Sequence, residues 1–468
     1  MKKVLSCLCL LLALSFCVVL TSCQGKTEDL SGGKYVVDFS QSQQRKVTLR
    51  VWMDDTDGTV GRALEEDFES MYPNINLVFQ HMATVDAREK LKTYGQSGNG
   101  ADIFQFPHDH MAQAILDDLV YQLPDTMLQD VKTRLNTVAL DIATISYNDQ
   151  THKFDPNGEE KLYAVPISIE SVALYYNIDI LQTLWGDEWE KHIPTTFTQF
   201  FADMAAYDEM DAAKKEYTPT GKSETVKMGE PYFATSSHWA DQYFIQFIYS
   251  AFGFRPFGEN GNDDSAVGFQ KEEVTNALNW MMTELKPRIH SENHSSISGQ
   301  TEFEQGKLPF VLTGPWSIPT FNGANINYGV AKLPTINVDG QEKATSTFAG
   351  AQMLAAYKYS KHLDEAQLFL NYMSTARAQQ IIYDLGGDLP ALNDAELVNI
   401  KGLAENQQLQ ATIEQLSTSI PMPTIPAVTY YWGPGETMVT NIWDSNAVIK
   451  DQQATAENSY AAKKNGAE

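Results

Sequence analysis

Residues 303–318 (FEQGKLPFVLTGPWSI) constrain the fold more than any other stretch of this chain. The apolar run at residues 308–312 predicts a buried strand, which stops at Gly314 and Pro315. Such a turn places the next residue at the carboxyl edge of a sheet, where open α/β sheets keep their ligand crevices. Trp316 stands there, and its flat apolar face suits a sugar ring. A core tryptophan is the alternative reading of this stretch alone.

Length and charge narrow the possibilities further. The chain has 468 residues, which is too long for a single core, so two or more lobes are expected. Its formal net charge is −26. A surface so acidic argues against nucleic acid as a partner, because the phosphate backbone would be repelled.

The amino terminus predicts a targeting segment that is removed. Lys2 and Lys3 precede an apolar run at residues 4–20, and Cys23 follows shortly afterwards. The end of this segment resembles a bacterial lipobox, which implies a signal peptide at residues 1–22 and a lipid anchor, including a palmitate-type acyl chain, on Cys23. All four cysteines lie in the first 23 residues, so no disulfide is expected in the mature protein. Residues 23–45 are polar and predict a flexible tether.

The chain after the tether begins as an α/β protein. Residues 47–53 and 75–79 predict strands on either side of an amphipathic helix, and residues 101–106 predict a third strand. Residues 162–169 and 172–176 then predict two strands at a crossing between lobes. Glu170 lies between these apolar runs, where it needs either a salt bridge or ligand hydroxyls to be tolerated.

Two acidic or histidine-containing loops raise the question of a metal site. Residues 54–58 (DDTDG) resemble part of a calcium-binding loop, but the distal glutamate of such a loop is missing. His108 and His110 lack a third ligand at zinc-site spacing. No metal site is therefore predicted, and no nucleotide or hydrolase motif predicts a cofactor. We expect the acidic loop to lie in a cleft.

Several segments, taken in order, resemble the bacterial extracellular solute-binding proteins of ABC sugar importers, and among them the maltose/maltodextrin-binding proteins. The matching segments are VTLRVWM, ADIFQFPHDH, YAVPISIESVALYYN, EPYF at residues 230–233, FEQGKLPFVLTGPWSI, NYGVAKLP and MPTIPAVTYYW. E-P-Y-F, T-G-P-W and M-P-x-I-P in this order carry the resemblance most specifically.

The resemblance implies a set of ligand-binding residues. The stacking aromatics of the family fall on Phe106, Tyr232, Trp316 and Trp432, and its acceptors for sugar hydroxyls fall on Asp109, Glu170 and Glu230. This chain departs from the family where Phe106 replaces a tryptophan, where His110 replaces an arginine, and at Thr56 and Asp57 of the first loop. Asp54 or Asp57 could substitute there for the missing contacts.

The resemblance also implies the fold and the activity. The expected fold is α/β, with two lobes like those of periplasmic binding proteins, a ligand cleft between them and three hinge crossings. The expected lobes are residues 46–167 with 348–390, and residues 168–347 with 391–468. We expect a monomer that carries a maltooligosaccharide to a membrane permease and touches the membrane through its lipid anchor only.

Two other functions stay open from the sequence. Aromatic platforms do not distinguish glucose polymers from other sugars, so a different oligosaccharide is one alternative. The other is a surface glycosidase, which needs two carboxylates across the scissile bond. Glu65 with Glu66, or Glu230 with Asp109, would have to supply such a pair. We expect binding without catalysis.

Overall fold

The computed structural model describes residues 46–148, 153–154, 158–265, 267–289 and 299–466. The expected signal peptide, the whole expected tether and the lipid-anchor candidate Cys23 lie outside these residues. Over the described ranges, no helix is both long enough and apolar enough to cross a bilayer.

Strands and short helices alternate along the chain. The strands are β1 Val47–Met53, β2 Ile75–His81, β3 Ile103–Pro107, β4 Thr144–Ile145, β5 Tyr147–Asn148, β6 Lys153–Phe154, β7 Lys161–Leu162, β8 Val165–Glu170, β9 Ala173–Asn177, β10 Glu216–Tyr217, β11 Val226–Lys227, β12 Phe233–Thr235, β13 Phe310–Thr313, β14 Tyr328–Ala331, β15 Ile336–Val338, β16 Gln341–Lys343, β17 Phe348–Ala356 and β18 Ile420–Pro421.

The α-helices follow the same order. They are α1 Thr59–Met71, α2 Thr84–Tyr94, α3 Met111–Leu116, α4 Asp125–Val131, α5 Thr137–Ala143, α6 Ile178–Trp185, α7 Phe197–Asp208, α8 Gln242–Ala251, α9 Glu272–Trp280, α10 Gly299–Glu304, α11 Ile318–Gly323, α12 Leu363–Met373, α13 Ala376–Gly386, α14 Asp394–Leu397, α15 Gln407–Leu416, α16 Trp432–Ser445 and α17 Ile449–Asn465.

The first lobe is built on a mixed sheet. Its strand β1 pairs in parallel with β2 and β3, as the strand–helix–strand pattern of the sequence predicts. Strand β17 returns late in the chain and pairs antiparallel with β3 and β8 and in parallel with β18. Val47, Leu49 and Val51 of β1 are buried and alternate with exposed Thr48 and Arg50, so one face of this strand supplies the core.

The second lobe is built on a smaller sheet in the order β12-β13-β9-β14. Strand β13 is central and pairs in parallel with β12 and antiparallel with β9. All four of its residues are buried, which confirms the buried strand that the apolar run predicts. An aromatic core covers this sheet and includes the fully buried Phe200, Phe233 and Trp443.

The predicted lobe boundaries differ from the two sheets at several residues, among them β18, which pairs with β17 of the first sheet. Strand β8 keeps its pairing with β17 as far as Glu170, three residues past the predicted boundary after residue 167. Leu392 forms a bridge with Leu135 of the first lobe, just past the predicted boundary at residue 390. The boundaries themselves stay a prediction.

Three hydroxyl groups meet where the chain passes between the lobes. Ser171 follows β8, Thr347 precedes β17 and Ser419 precedes β18, and we call these residues the hydroxyl cluster. The Thr347 and Ser419 hydroxyl oxygens lie 2.8 Å apart, and those of Ser171 and Ser419 lie 3.1 Å apart. Gln415 donates its side-chain N–H to Thr347. The cluster therefore ties the three connections together without charge.

We expect the Thr347→Val substitution to destabilise the protein by about 1–3 kcal/mol, since it leaves Gln415 and the two serine hydroxyls short of a buried partner. Urea unfolding measures this free energy. Thr418→Val is the matched control, because the Thr418 hydroxyl donates to a single backbone carbonyl, that of Gln415. Equal destabilisation by the two substitutions would contradict a special role for the hydroxyl cluster.

Candidate functional site

A cavity of about 920 Å³ lies between the two lobes. Its first-lobe wall is made by the loop after β1 and by residues of β3, β8 and β17, all near the same edge of the sheet. Its second-lobe wall is made by the start of α8, the turn after β13 and the start of α16. Lining residues include Asp54, Asp55, Thr56, Asp57, Gln105, Asp109, His110, Glu170, Asp241, Gln242, Tyr243, Trp316, Gln352, Asp388, Met422, Trp432 and Glu436.

A chain of side-chain amides crosses the floor of this cleft. The backbone N–H of Asp54 donates to Gln105 Oε1 at 2.9 Å. Gln105 Nε2 donates to Gln352 Oε1 at 3.4 Å, and Gln352 Nε2 donates to Glu170 Oε1 at 3.2 Å. We call these connected groups the amide relay. It links the first cleft loop to Glu170 across neighbouring strands of the sheet.

Two carboxyl groups of the cleft have raised pKa values. Burial, with a smaller contribution from the neighbouring Asp388, raises the pKa of Glu170 to about 8, although the hydrogen bond from Gln352 acts in the opposite direction. Burial also raises the pKa of Asp388 to about 7, with a smaller contribution from Asp54. None of the described residues that line the cavity is a lysine or arginine. A salt bridge therefore does not explain Glu170.

The position of Trp316 in the cleft depends on the backbone of the turn after β13. It lies in the short turn Pro315–Ser317 directly after β13. A Cβ atom on Gly314 would come within 2.1 Å of the indole ring, so the ring rests on the bare glycine backbone. Phe244 packs edge-on against the indole with the ring centroids 6.2 Å apart. The turn that the Gly-Pro sequence predicts thus places Trp316 in the cleft.

Trp432 connects the two lobes across the cleft. It begins α16, and its indole Nε1–H donates to Asp109 Oδ2 at 3.1 Å. Phe348 supports the other side of the indole in an edge-on contact with centroids 6.1 Å apart. One hydrogen bond therefore joins a predicted aromatic of the second lobe to a predicted carboxylate of the first.

One segment of the cleft was not predicted from the sequence motifs. Asp241 caps α8 by accepting from the Tyr243 N–H at 2.9 Å, and both residues line the cavity. The Tyr243 ring lies between Trp316 and Phe348, with centroid distances of 6.3 and 6.1 Å. Its hydroxyl is buried and has no hydrogen-bond partner among the described residues. Residues 241–244 (DQYF) repeat the acid-x-Tyr-Phe pattern of E-P-Y-F, which is the signal that could have found them.

Three predicted residues lie away from the cleft. Phe106 is fully buried and stacks on Phe104, because side chains alternate along β3 and Gln105 takes the cleft side. Tyr232 is 1% exposed and packs inside the second lobe. Glu230 has a half-exposed side chain and pairs with Lys215. This placement corrects the expectation that E-P-Y-F at residues 230–233 lines the cleft.

The remaining predicted residues are close to the cavity. Asp54, Asp57 and His110 line it together with Asp109 and Glu170. Burial lowers the pKa of His110, so its imidazole is neutral rather than a substitute for an arginine cation. His108 is buried, and its Nδ1 accepts from the Ala351 N–H. No group of three possible metal ligands occurs in the part of the chain that the structure describes.

Comparison with known proteins identifies the family. A family model described as bacterial extracellular solute-binding protein matches residues 63–443. The chain belongs to this family. A maltooligosaccharide ABC transporter solute-binding lipoprotein of Streptococcus pneumoniae is 26% identical over 447 residues, which cover 94% of this chain and 92% of that relative. A galactooligosaccharide-binding protein of Bacillus subtilis is 23% identical over 389 residues, 81% of each chain.

Solved structures of this family share the architecture. MalX from Streptococcus pneumoniae, determined in complex with maltopentaose, superimposes with a TM-score of 0.70 at 22% identity over 89% of this chain and 100% of that chain. This likeness confirms the two-lobed α/β fold. With the family match, the resemblance to the maltodextrin-binding proteins that the sequence motifs predict is also confirmed.

The raised carboxyl pKa values predict a pH-dependent stability for the ligand-free protein. Because the folded state keeps protons on Glu170 and Asp388 that the unfolded chain has lost, stability falls as pH rises from about 5 to about 8. Asp388→Asn removes one of these carboxyl groups and also removes a cause of the raised pKa of Glu170. Stability should therefore fall less steeply with pH in this variant. The unfolding temperature measured from pH 5 to 8.5 tests this.

Asp211→Asn is the control for this series, because Asp211 is exposed and lies outside the cleft. It should leave the pH dependence of the unfolding temperature as in the natural protein. Parallel curves for Asp388→Asn and the natural protein would show that Asp388 does not take up a proton on folding.

Proposed function

We propose that this protein binds a maltooligosaccharide between its lobes and delivers it to an ABC permease. The observation that carries the proposal is the convergence of Trp316 and Trp432 on one cavity that also holds Asp109 and Glu170. Flat apolar rings and hydrogen-bonding carboxyl groups in one cleft match the two surfaces of a sugar ring.

The chemistry of a sugar supports this assignment of roles. The C–H faces of a glucose ring are apolar and can stack on the indoles of Trp316 and Trp432. The hydroxyls at the ring edge can donate to Asp109 and meet the carboxyl group of Glu170. Closing the lobes would remove water from these contacts and strengthen them. Because the cleft lacks lysine and arginine among its described lining residues, an uncharged ligand suits it better than an anionic one.

Relatives support a maltooligosaccharide as the ligand and keep one alternative open. The Streptococcus pneumoniae relative is a maltooligosaccharide lipoprotein, and the compared MalX structure contains maltopentaose. The Bacillus subtilis relative, in contrast, is a galactooligosaccharide-binding protein. A different oligosaccharide therefore remains the second candidate, and the binding experiment below includes it.

Membrane delivery and the absence of catalysis belong to the same proposal. The lipoprotein relative supports a membrane-anchored protein of an ABC transporter. Anchoring through Cys23, an extracellular location and a monomeric state are parts of this proposal. The glycosidase alternative loses support from the structure, because Glu230 lies outside the cleft that contains Asp109. Glu65 and Glu66 lie on α1 and do not line the cavity.

Isothermal calorimetry of the soluble chain from residue 24 onward tests the proposal. We expect micromolar or tighter binding of maltose, maltotriose or maltotetraose, and no comparable heat with cellobiose, lactose or galactooligosaccharides. Trp316→Ala should weaken maltotetraose binding by more than about tenfold, because one stacking surface is lost.

Trp189→Ala is the matched control, because Trp189 is a half-buried tryptophan outside the cleft. It should leave the affinity unchanged. An unaltered affinity in Trp316→Ala would remove Trp316 from the binding surface. Heat with galactooligosaccharides alone would replace the proposed ligand with the alternative one.

A further inference from the structure

The backbone N–H of Asp54 determines which group donates and which accepts in every hydrogen bond of the amide relay. A backbone N–H can only donate, so the Asp54 N–H requires Gln105 to accept through Oε1. Gln105 is then left with Nε2 as its donor toward Gln352 Oε1, and Gln352 in turn donates to Glu170 through Nε2. Glu170 Oε1 is therefore committed as an acceptor.

The other carboxyl oxygen of Glu170 is consequently the one left for a proton or a ligand. If Glu170 is protonated, the proton belongs on Oε2, because Oε1 already accepts from Gln352. A protonated carboxyl group donates one hydrogen bond and still accepts others. The relay thus decides which oxygen of Glu170 can donate into the cleft.

The cleft is rich in carboxyl groups and has no lysine or arginine donor among its described lining residues. Its described lining includes carboxyl groups at Asp54, Asp55, Asp57, Asp109, Glu170, Asp241, Asp388 and Glu436, and it includes no lysine or arginine. The indole N–H of Trp432 is already given to Asp109. A sugar hydroxyl donates one hydrogen bond and accepts others, so a protonated carboxyl group offers the ligand a donor that an ionised carboxylate cannot supply.

The groups around Glu170 favour its protonated form. Asp388 and Asp109 are its acidic neighbours, and their carboxyl groups disfavour a negative charge on Glu170. Tyr243 faces it from α8 as a neutral phenol, since burial holds the pKa of this tyrosine well above its ordinary value. His108 packs nearby against Gly350, and burial lowers the pKa of its imidazole, so it is neutral as well.

We propose that Gln105 and Gln352 are positioning residues that commit Glu170 Oε1 as an acceptor, so that a protonated Glu170 donates from Oε2 to the bound saccharide. This inference rests on the proposed function, because it requires a ligand with hydroxyl or ring oxygens as acceptors. The roles differ: Glu170 touches the ligand, whereas the two glutamines act through Glu170.

The first test is independent of any ligand. In ligand-free protein labelled with ¹³C at glutamate, the Glu170 carboxyl resonance is assigned by its loss in Glu170→Gln and followed against pH. It should titrate near pH 8, since burial raises the pKa of Glu170 to about 8. Gln352→Leu removes a hydrogen bond that favours the charged form, so the midpoint should move to higher pH.

Substituting Gln105 tests whether this residue is linked to Glu170 through Gln352. Gln105→Leu should move the midpoint in the same direction by a smaller amount, because Gln352 keeps its own hydrogen bond to Glu170. The double substitution should move it no further than Gln352→Leu alone, since both act through one chain. Gln80→Leu is the control, because Gln80 bonds Trp52 in the same sheet outside the relay. A midpoint that Gln352→Leu leaves unmoved would overturn the relay.

The second test measures maltotetraose affinity from about pH 6 to about pH 9.5 by calorimetry. Affinity of the natural protein should fall about tenfold per pH unit above about pH 8, as the donor is lost. Glu170→Gln carries a permanent donor and should abolish this fall above about pH 8, so that it binds more tightly than the natural protein at about pH 9.5. Gln352→Leu should move the fall to higher pH.

The outcomes of the two tests separate the two proposals. No heat with any saccharide at any pH would refute the proposed function and with it the donor role of Glu170, while the titration would still decide whether the relay exists. Saccharide binding with a flat profile in the natural protein would leave the proposed function standing and overturn the donor role.

Discussion

The cleft is dominated by the cost of keeping carboxyl groups where water is scarce, and none of its described lining residues is a lysine or an arginine. The protein meets this cost in two ways. It shifts Glu170 and Asp388 toward their neutral forms, and it gives Glu170 and Asp109 neutral hydrogen-bond donors, from Gln352 and Trp432 respectively. Neutral donors suit an uncharged ligand rich in hydroxyl groups. Such a ligand can replace these hydrogen bonds at Glu170 and Asp109 without breaking a salt bridge.

Backbone geometry places the groups that surround these carboxyls. The strands of the first sheet end at a common edge, so Asp54, Gln105 and Glu170 come together although they are far apart in the sequence. In the second lobe, β13 ends at Gly314, where the absence of a side chain lets the indole of Trp316 lie on the backbone. The hydroxyl cluster connects the two halves close to the floor of the cleft. Short connections therefore join the two lobes beside the cleft.

The sequence predicts the architecture and a large share of the cleft. The apolar run before Gly314, the strand–helix–strand opening and the late return of β17 to the first sheet are all confirmed. Local patterns suffice there, because a strand buried on both faces shows as a continuous apolar run and a strand buried on one face shows as alternating residues. The same patterns place Trp316 and Glu170 at strand ends, where the structure has them.

The misplaced residues show what local patterns lack. E-P-Y-F at residues 230–233 matches the family motif as a string, but residues 241–244 occupy the cleft, because position is set by the packing of α8 rather than by identity. The assignment of Phe106 to the cleft fails because side chains alternate along the strand. Phe106 therefore packs on Phe104, and Gln105 faces the cleft. The contact between Gln105 and Gln352 joins residues 247 positions apart, and no single-sequence pattern reports such a pair.

A crystal structure of the protein with maltotetraose tests the central claim most directly. We expect glucose rings stacked on Trp316 and Trp432, with ring hydroxyls within hydrogen-bonding distance of Asp109 and with Glu170 Oε2, not Oε1, facing the sugar. Density for the sugar outside this cleft, or against neither indole, would contradict it.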